Sequence, residues 1–235
     1  ASIRHNLNLL SRFLGGGVER GYIEHNPVRD IGQGSRPKQA RKLDVPWLDD
    51  DAAVVRLMGL LPEPIGLMFY LANRSGLRTG EVCGLRMADL ATLAEGWIRV
   101  RYSYDGPLKE GAGKSKPAPV PADAPEVLAA HLKRRRAEKA KPEDYVFCGP
   151  GGGYVSKMAI HRAWLAACES VGLELTWYQA TRHSFVSRSL ALGGNLDQVS
   201  RAVGHSSPTV TRRYYDHFEQ TIFSDALRVS LPVAR

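Results

Sequence analysis

Four polar clusters fall where helices should begin or end, positions from which side chains can reach a ligand. The first is Ser75-Gly76-Leu77-Arg78-Thr79-Gly80-Glu81. Arg78 stands at a predicted helix start, and a guanidinium beside the N–H groups and dipole there offers a planar fork to a phosphate. Glu81, one turn on, is placed to steady that fork, although a surface Arg–Glu pair is the plainer reading. The second cluster, Gly113-Lys114-Ser115-Lys116, is a turn whose lysines are ordinarily solvated. A lysine there does chemistry only if it dips into a site and donates a proton. The third, Tyr178-Gln179-Ala180-Thr181-Arg182-His183, sets Gln179 and Arg182 three apart, so that one anion can meet both. The fourth runs from Val203-Gly204-His205 to Arg213-Tyr214-Tyr215-Asp216-His217 and joins a histidine at a Gly-ended helix to a tyrosine pair on the next helix. Alone, a histidine is more often structural and a tyrosine pair more often packing.

Apolar spacing predicts the elements that must position these clusters. Ile3, Leu7, Leu10, Leu14 and Val18 mark an amphipathic helix over residues 2–20, stopped by Gly21. Residues 29–41 hold little apolar content and several Gly, Ser and Pro residues, as a linker does. Asp49-Asp50-Asp51 should cap a helix running to Leu61, which Pro62 and Pro64 break. A buried apolar helix follows from Ile65 to Asn73, then a short one from Thr79 to Leu85. Trp97 to Tyr102 alternates as a strand, Gly106 to Lys116 reads as a turn, and Pro119-Val120-Pro121 closes a hairpin edge. Ala124 to Ala140 is a basic helix and Tyr145-Val146-Phe147 a short strand. Gly149 to Gly153 lacks the spacing of a phosphate-cradling loop and reads as a turn. Ser156 caps a helix to Gly172 with Ile160, Trp164, Leu165 and Cys168 inward. Further helices are expected at 179–192, 197–204, 208–216 and 219–229. The fold class is mainly α with one small antiparallel β-sheet (α+β).

Composition bounds the function. The 235 residues carry 32 Lys and Arg against 24 Asp and Glu, a net +8 suited to a polyanion. The excess is clustered: Arg36 to Lys42 holds four cations in seven residues and Lys133 to Lys141 six in nine, enough to neutralise phosphates. Three widely spaced cysteines (Cys83, Cys148, Cys168) argue against a disulfide framework and a cysteine zinc site. The longest apolar run, Ile65 to Ala72, is too short to span a bilayer, and no secretory signal is visible at the N-terminus.

In their order along the chain, the arginine, the hairpin lysine, the x-x-Arg box, the Gly-His and the tyrosine resemble the tyrosine recombinases of the phage-integrase family. The strings Ser-Gly-Leu-Arg-Thr-Gly-Glu-Val-Cys-Gly-Leu-Arg (75–86) and Gly-His-Ser-Ser-Pro-Thr-Val-Thr-Arg-Arg-Tyr (204–214) carry it. The resemblance implies the family's catalytic-domain fold over residues 43–235, a linker at 32–42, and at 1–31 the tail of a core-binding domain. It implies that Arg78 and Arg182 clamp the scissile phosphate, that Lys114 is the general acid and that His205 serves the same phosphate. Tyr214, nine residues after His205, is the implied nucleophile. Tyr215, followed by Asp216-His217, is the alternative to it, as Lys116 is to Lys114. Gln179 occupies the place of the family's box histidine. A glutamine can hydrogen-bond a phosphate oxygen but cannot relay a proton near pH 7.

That set suits one reaction. A phenol with a pKa of about 10 is a poor nucleophile until cations favour its phenolate. Guanidiniums stabilise the charge growing on phosphate oxygens, and a lysine protonates the departing 5′ oxygen. The covalent 3′-phosphotyrosine conserves the bond energy, so no cofactor and no metal are expected. The implied partners are double-stranded DNA in the cytoplasm and further copies of the chain, a tetramer at synapsis with a monomer allowed when free, and no membrane. The resemblance implies that a last helix around Gln220–Leu231 packs on a neighbouring protomer; its apolar stripe of Phe223, Ala226 and Leu227 fits packing on its own domain equally well. A type IB topoisomerase and an inactive DNA-binding relative are the competing readings.

Overall fold

The computed structural model describes residues 3–35, 45–108 and 115–204. The chain divides into two compact units, residues 1–43 and 44–235. In the first, helix α1 (Ile3–Glu19) ends where Tyr22 N–H donates to the Gly17 carbonyl at 2.8 Å. Buried Asn26 donates to the Ser11 carbonyl at 2.7 Å and accepts the Val28 N–H at 3.1 Å, folding the following turn back along α1. The apolar residues of α1 are not buried within this unit: Ile3, Leu10 and Phe13 are all exposed.

The second unit is built on α3 (Ile65–Ser75), whose Met68, Phe69, Leu71 and Ala72 are wholly buried. An apolar helix without a polar face must be covered on all sides. Helix α2 (Asp51–Leu60), capped by the Asp50 carboxylate on the Ala52 N–H, lies along it. Helix α5 (Ala124–Ala137) also packs on it, and α6 (Lys157–Val171, capped by Ser156) packs on α2 and sets Trp164 against Phe69. Phe69, Trp164 and Trp177 form a three-ring cluster with centroids 5.2–5.7 Å apart. A smaller apolar cluster joins α7 (Ser184–Ala191) to α8 (Leu196–Val203) through Val186, Leu190, Val199 and Val203. Among the described residues, no helix is long and apolar enough to cross a membrane.

The fold is helix-rich as expected, but the β structure differs from the expected single sheet. Strand β1 (Trp97–Val100) pairs antiparallel with β4 (Lys116–Pro119), with Val100 opposite Lys116. Strands β2 (Tyr102–Ser103) and β3 (Gly106–Pro107) form a second two-stranded hairpin. The chain breaks at Arg101, whose side chain turns to the buried Asp89 carboxylate, and beyond it the tight turn at Tyr104-Asp105 favours the nearer partner. Lys116 therefore begins a strand and does not belong to the turn. Tyr145 to Phe147 makes only an isolated bridge from Tyr145 to Arg86, because the extended segment alongside it turns into the 3₁₀ helix Met87–Leu90 directly after Arg86. Leu165, expected inward, is exposed, being one position off the stripe of Ile160, Trp164, Ala167 and Cys168.

The β2–β3 hairpin seats the short helix α4 (Thr79–Gly84), on which Arg78 and Glu81 depend. Tyr104 N–H donates to the Gly80 carbonyl at 3.0 Å. A Cβ on Gly84 would stand 2.7 Å from the Ser103 carbonyl carbon and 2.8 Å from the Tyr102 oxygen, so only glycine admits this backbone approach. Gly84→Ala should cost about 1–3 kcal/mol through overpacking. Gly59→Ala, exposed on α2 with open space around it, should instead gain about 0.5–1 kcal/mol. Urea denaturation of both variants measures the contrast.

Candidate active site

Arg78 precedes the first turn of α4 in extended backbone, a geometry that turns its side chain away from the helix and across to the end of α8. Three donors from two chain segments meet at the Glu81 carboxylate. Arg78 Nη1 approaches Oε1 at 2.7 Å, while the Arg78 backbone N–H and Lys116 Nζ both reach Oε2 at 2.9 Å. Glu81 is nearly fully buried and Lys116 largely so, whereas the Arg78 side chain is 47% exposed, enough to meet an incoming anion. Burial opposes ionisation of Glu81, but the Lys116 charge and the hydrogen bonds from Arg78 and Lys116 outweigh it and hold the carboxyl below its ordinary value. Burial likewise pushes the Lys116 ammonium down. Glu81 opposes that shift by charge and hydrogen bond, and Arg182 and Arg78 add to it. Arg78 and Lys116 thus share one buried carboxylate, contributed by a residue of α4.

Arg182 meets the segment that leads into α4 through an unusual turn. Residues Gln179–His183 form one turn of π-helix between Tyr178 and α7, where the wider i→i+5 ladder is rare and needs outside support. Ser184 gives that support twice over. Its N–H and its hydroxyl (2.6 Å) both donate to the Gln179 carbonyl, and the hydroxyl oxygen in turn accepts the Leu48 N–H at 2.8 Å. From α3, the buried Asn73 amide donates to the Ala180 carbonyl at 2.7 Å. Arg182, 2% exposed, donates from Nη1 to the Gly76 carbonyl at 3.0 Å, two residues before Arg78. The extended segment leading from Val45 to Leu48 is strapped to the same region, with His183 Nε2 donating to the Val45 carbonyl and Arg188 Nη2 to that of Leu48.

Helix α8 supplies the remaining wall. Gly204 ends it in the left-handed conformation (φ 66°), which glycine adopts without strain, and its carbonyl accepts from Arg78 Nη2 at 2.8 Å. The Val203 carbonyl, one residue earlier, accepts from Lys116 Nζ at 3.2 Å.

Of the residues singled out from the sequence, Arg78 and Arg182 thus come together. Gln179 is on the same turn as Arg182, but its side-chain oxygen is spent on the Thr176 N–H and hydroxyl, both at 2.8 Å, capping the turn. Its amide N–H groups are what remains to meet an anion. Lys114, His205, Tyr214 and Tyr215 lie outside the described residues, as do the helices expected at 208–216 and 219–229. Sequence reasoning passed over Asn73 and Ser184, which support the π turn. No local signal marks them: each reads as one more polar residue of a helix, and only the fold reveals the carbonyl it meets.

The second unit is similar to known DNA recombinases along most of its length. The family model described as "Phage integrase family" matches residues 34–221. Tyrosine recombinase XerC of Xanthomonas axonopodis pv. citri is 30% identical over 240 residues, covering 100% of this chain and 73% of that protein. A XerC of Pseudomonas aeruginosa is 33% identical over 205 residues, 84% of this chain and 62% of its own length. A XerC-like recombinase of Caldanaerobacter subterraneus is 22% identical, covering 89% of this chain and 60% of the relative. The chain thus spans between three fifths and three quarters of the length of these relatives. Among solved structures, the Tn1549 transposon integrase in complex with circular intermediate DNA has a TM-score of 0.69 at 18% identity, covering 96% of this chain and 78% of that one. The catalytic domain of bacteriophage HP1 integrase has a TM-score of 0.53 at 18% identity, covering 80% of this chain and 96% of that one. With buried Arg182 bonded to the carbonyl two residues before Arg78, on the fold of integrase catalytic domains, this chain belongs to the phage integrase family of tyrosine recombinases.

Proposed function

We propose that the chain acts as a site-specific DNA recombinase in the cytoplasm, cutting and rejoining strands through a 3′-phosphotyrosine. The observation that carries this reading is the Arg78–Glu81–Lys116 cluster, with buried Arg182 bonded to the Gly76 carbonyl two residues before Arg78, beside the helix end that leads into His205. Two fixed guanidiniums, one at the surface and one buried, suit a phosphodiester that must be gripped while charge grows on its non-bridging oxygens. In the proposed step, the Tyr214 oxygen attacks the scissile phosphorus and its proton passes to a nearby base. The bond to the 5′ oxygen breaks, and Lys114 protonates that oxygen as it leaves. Attack by another 5′-hydroxyl on the phosphotyrosine reverses the sequence and reseals the strand. Double-stranded DNA is the proposed partner, and the relatives' XerC identity and the DNA-bound Tn1549 integrase support it. Four copies at synapsis, residues 1–31 as the tail of a core-binding domain and 32–42 as a linker complete the reading.

Three outcomes follow. Incubated with nicked duplexes of randomised central sequence, the wild-type chain should form a detergent-resistant DNA adduct whose sequences reveal the site. Tyr214→Phe should abolish the adduct and Tyr215→Phe should leave it; the reverse pattern moves the nucleophile to Tyr215. Arg182→Lys should slow single-turnover adduct formation by about 100-fold or more, because an ammonium cannot replace a planar fork, with DNA affinity changing far less. The depressed Glu81 carboxyl makes the third outcome pH-dependent. Its stabilisation is present above the unfolded carboxylate value and is lost as pH falls through the folded one. Glu81→Gln should therefore cost about 3 kcal/mol at neutral pH, leaving Lys116 buried without its counter-ion, and should shrink the loss of stability on acidification. Urea denaturation across a pH series reads both effects.

A further inference from the structure

Lys116 lies too deep in the framework to be explained as a second hairpin lysine. Its Cα is fixed by the sheet register opposite Val100, and its side chain is only 15% exposed. Two of its three N–H groups are spent, on Glu81 Oε2 at 2.9 Å and on the Val203 carbonyl at 3.2 Å. Val203 and Gly204 close α8, where carbonyls have no partner inside the helix and carry the negative end of its dipole. Arg78 takes the second of these carbonyls, at 2.8 Å. Two cations from separate segments, bridged by one carboxylate, thus hold consecutive carbonyls at a helix end. The next residue in the chain is His205, whose backbone nitrogen is bonded to the carbonyl carbon that Arg78 holds in place.

We propose that Lys116 is a positioning residue: with Glu81 and Arg78 it latches the last turn of α8 to β4 and α4, and so sets where His205 enters the site. The inference rests on the recombinase reading for its effect on rate, but not for the latch itself. A positioning lysine and a proton-donating lysine make opposite predictions. An arginine in its place can still donate to both the carboxylate and the carbonyl, yet it does not release a proton near neutral pH. Sulfur at the 5′ bridging position leaves as a stable thiolate and dispenses with a general acid.

The test compares Lys116→Met, Lys116→Arg and Lys114→Met on a nicked duplex selected as above, with oxygen or sulfur at the bridging position. Amide hydrogen exchange of the same proteins is followed without DNA. Lys116→Met should slow adduct formation about tenfold or more on both duplexes, and Lys116→Arg should recover most of that loss. Exchange at Val203 and Gly204 should quicken by about tenfold in Lys116→Met while α3 is unchanged. Lys114→Met, in contrast, should regain its rate on the sulfur duplex. If sulfur restores Lys116→Met and arginine fails to, Lys116 is the proton donor and the proposal is overturned. Unchanged exchange in Lys116→Met overturns it equally. Should the wild-type chain form no adduct with any duplex, the recombinase reading falls, and the exchange measurement alone decides for or against the latch.

Discussion

A carboxylate with almost no access to water is stable only where cations surround it, and Glu81 is such a group. It binds the arginine that begins its own helix and the lysine that begins β4. Removing Glu81 leaves Lys116 buried without its counter-ion, and removing Lys116 leaves the buried carboxylate with Arg78 alone. The constraint acts outward from there. The α4 backbone must lie against β2 for Glu81 to be buried, β1 must hold β4 in register for Lys116 to reach it, and α8 must end where the two cations can take its carbonyls. The geometry of the cationic centre is thus a property of the framework and not of the loops around it.

The second arginine depends on a different device. A π turn is a costly way to write a helix, and here side chains from several segments repay it: Ser184 from the following helix, Asn73 from α3 and the strap at Leu48. Local irregularity at a site often marks a side chain whose direction the regular helix could not give. Arg182 fits that pattern, since its guanidinium must pass beneath the chain and meet the Gly76 carbonyl.

Much of this was legible in the residues themselves. The helices from α1 to α8 announce themselves by apolar spacing and by caps such as Asp50, Ser156 and Gly204, because these depend on neighbours within a turn. Arg78 and Arg182 stood out as candidate site residues because their neighbours fit a family pattern. What escaped depends on partners distant in sequence. The pairing of β2 with β3 and not with the main hairpin hinges on Arg101 choosing Asp89. The burial of Lys116 hinges on strand register, and the same tetrapeptide read alone is an exposed turn. Gln179 looked free to meet an anion until its oxygen was found on Thr176, a bond that the sequence allows without requiring.

The strap from Val45 to Leu48 has a mechanical meaning. The hydroxyl that closes the π turn also receives the strap's Leu48 amide, while His183, the last residue of that turn, and Arg188 of α7 hold the strap's carbonyls. A pull on the polypeptide at Val45 is therefore delivered directly to the turn that aims the buried guanidinium. Whatever grips the strap has a lever on the more deeply buried of the two arginines.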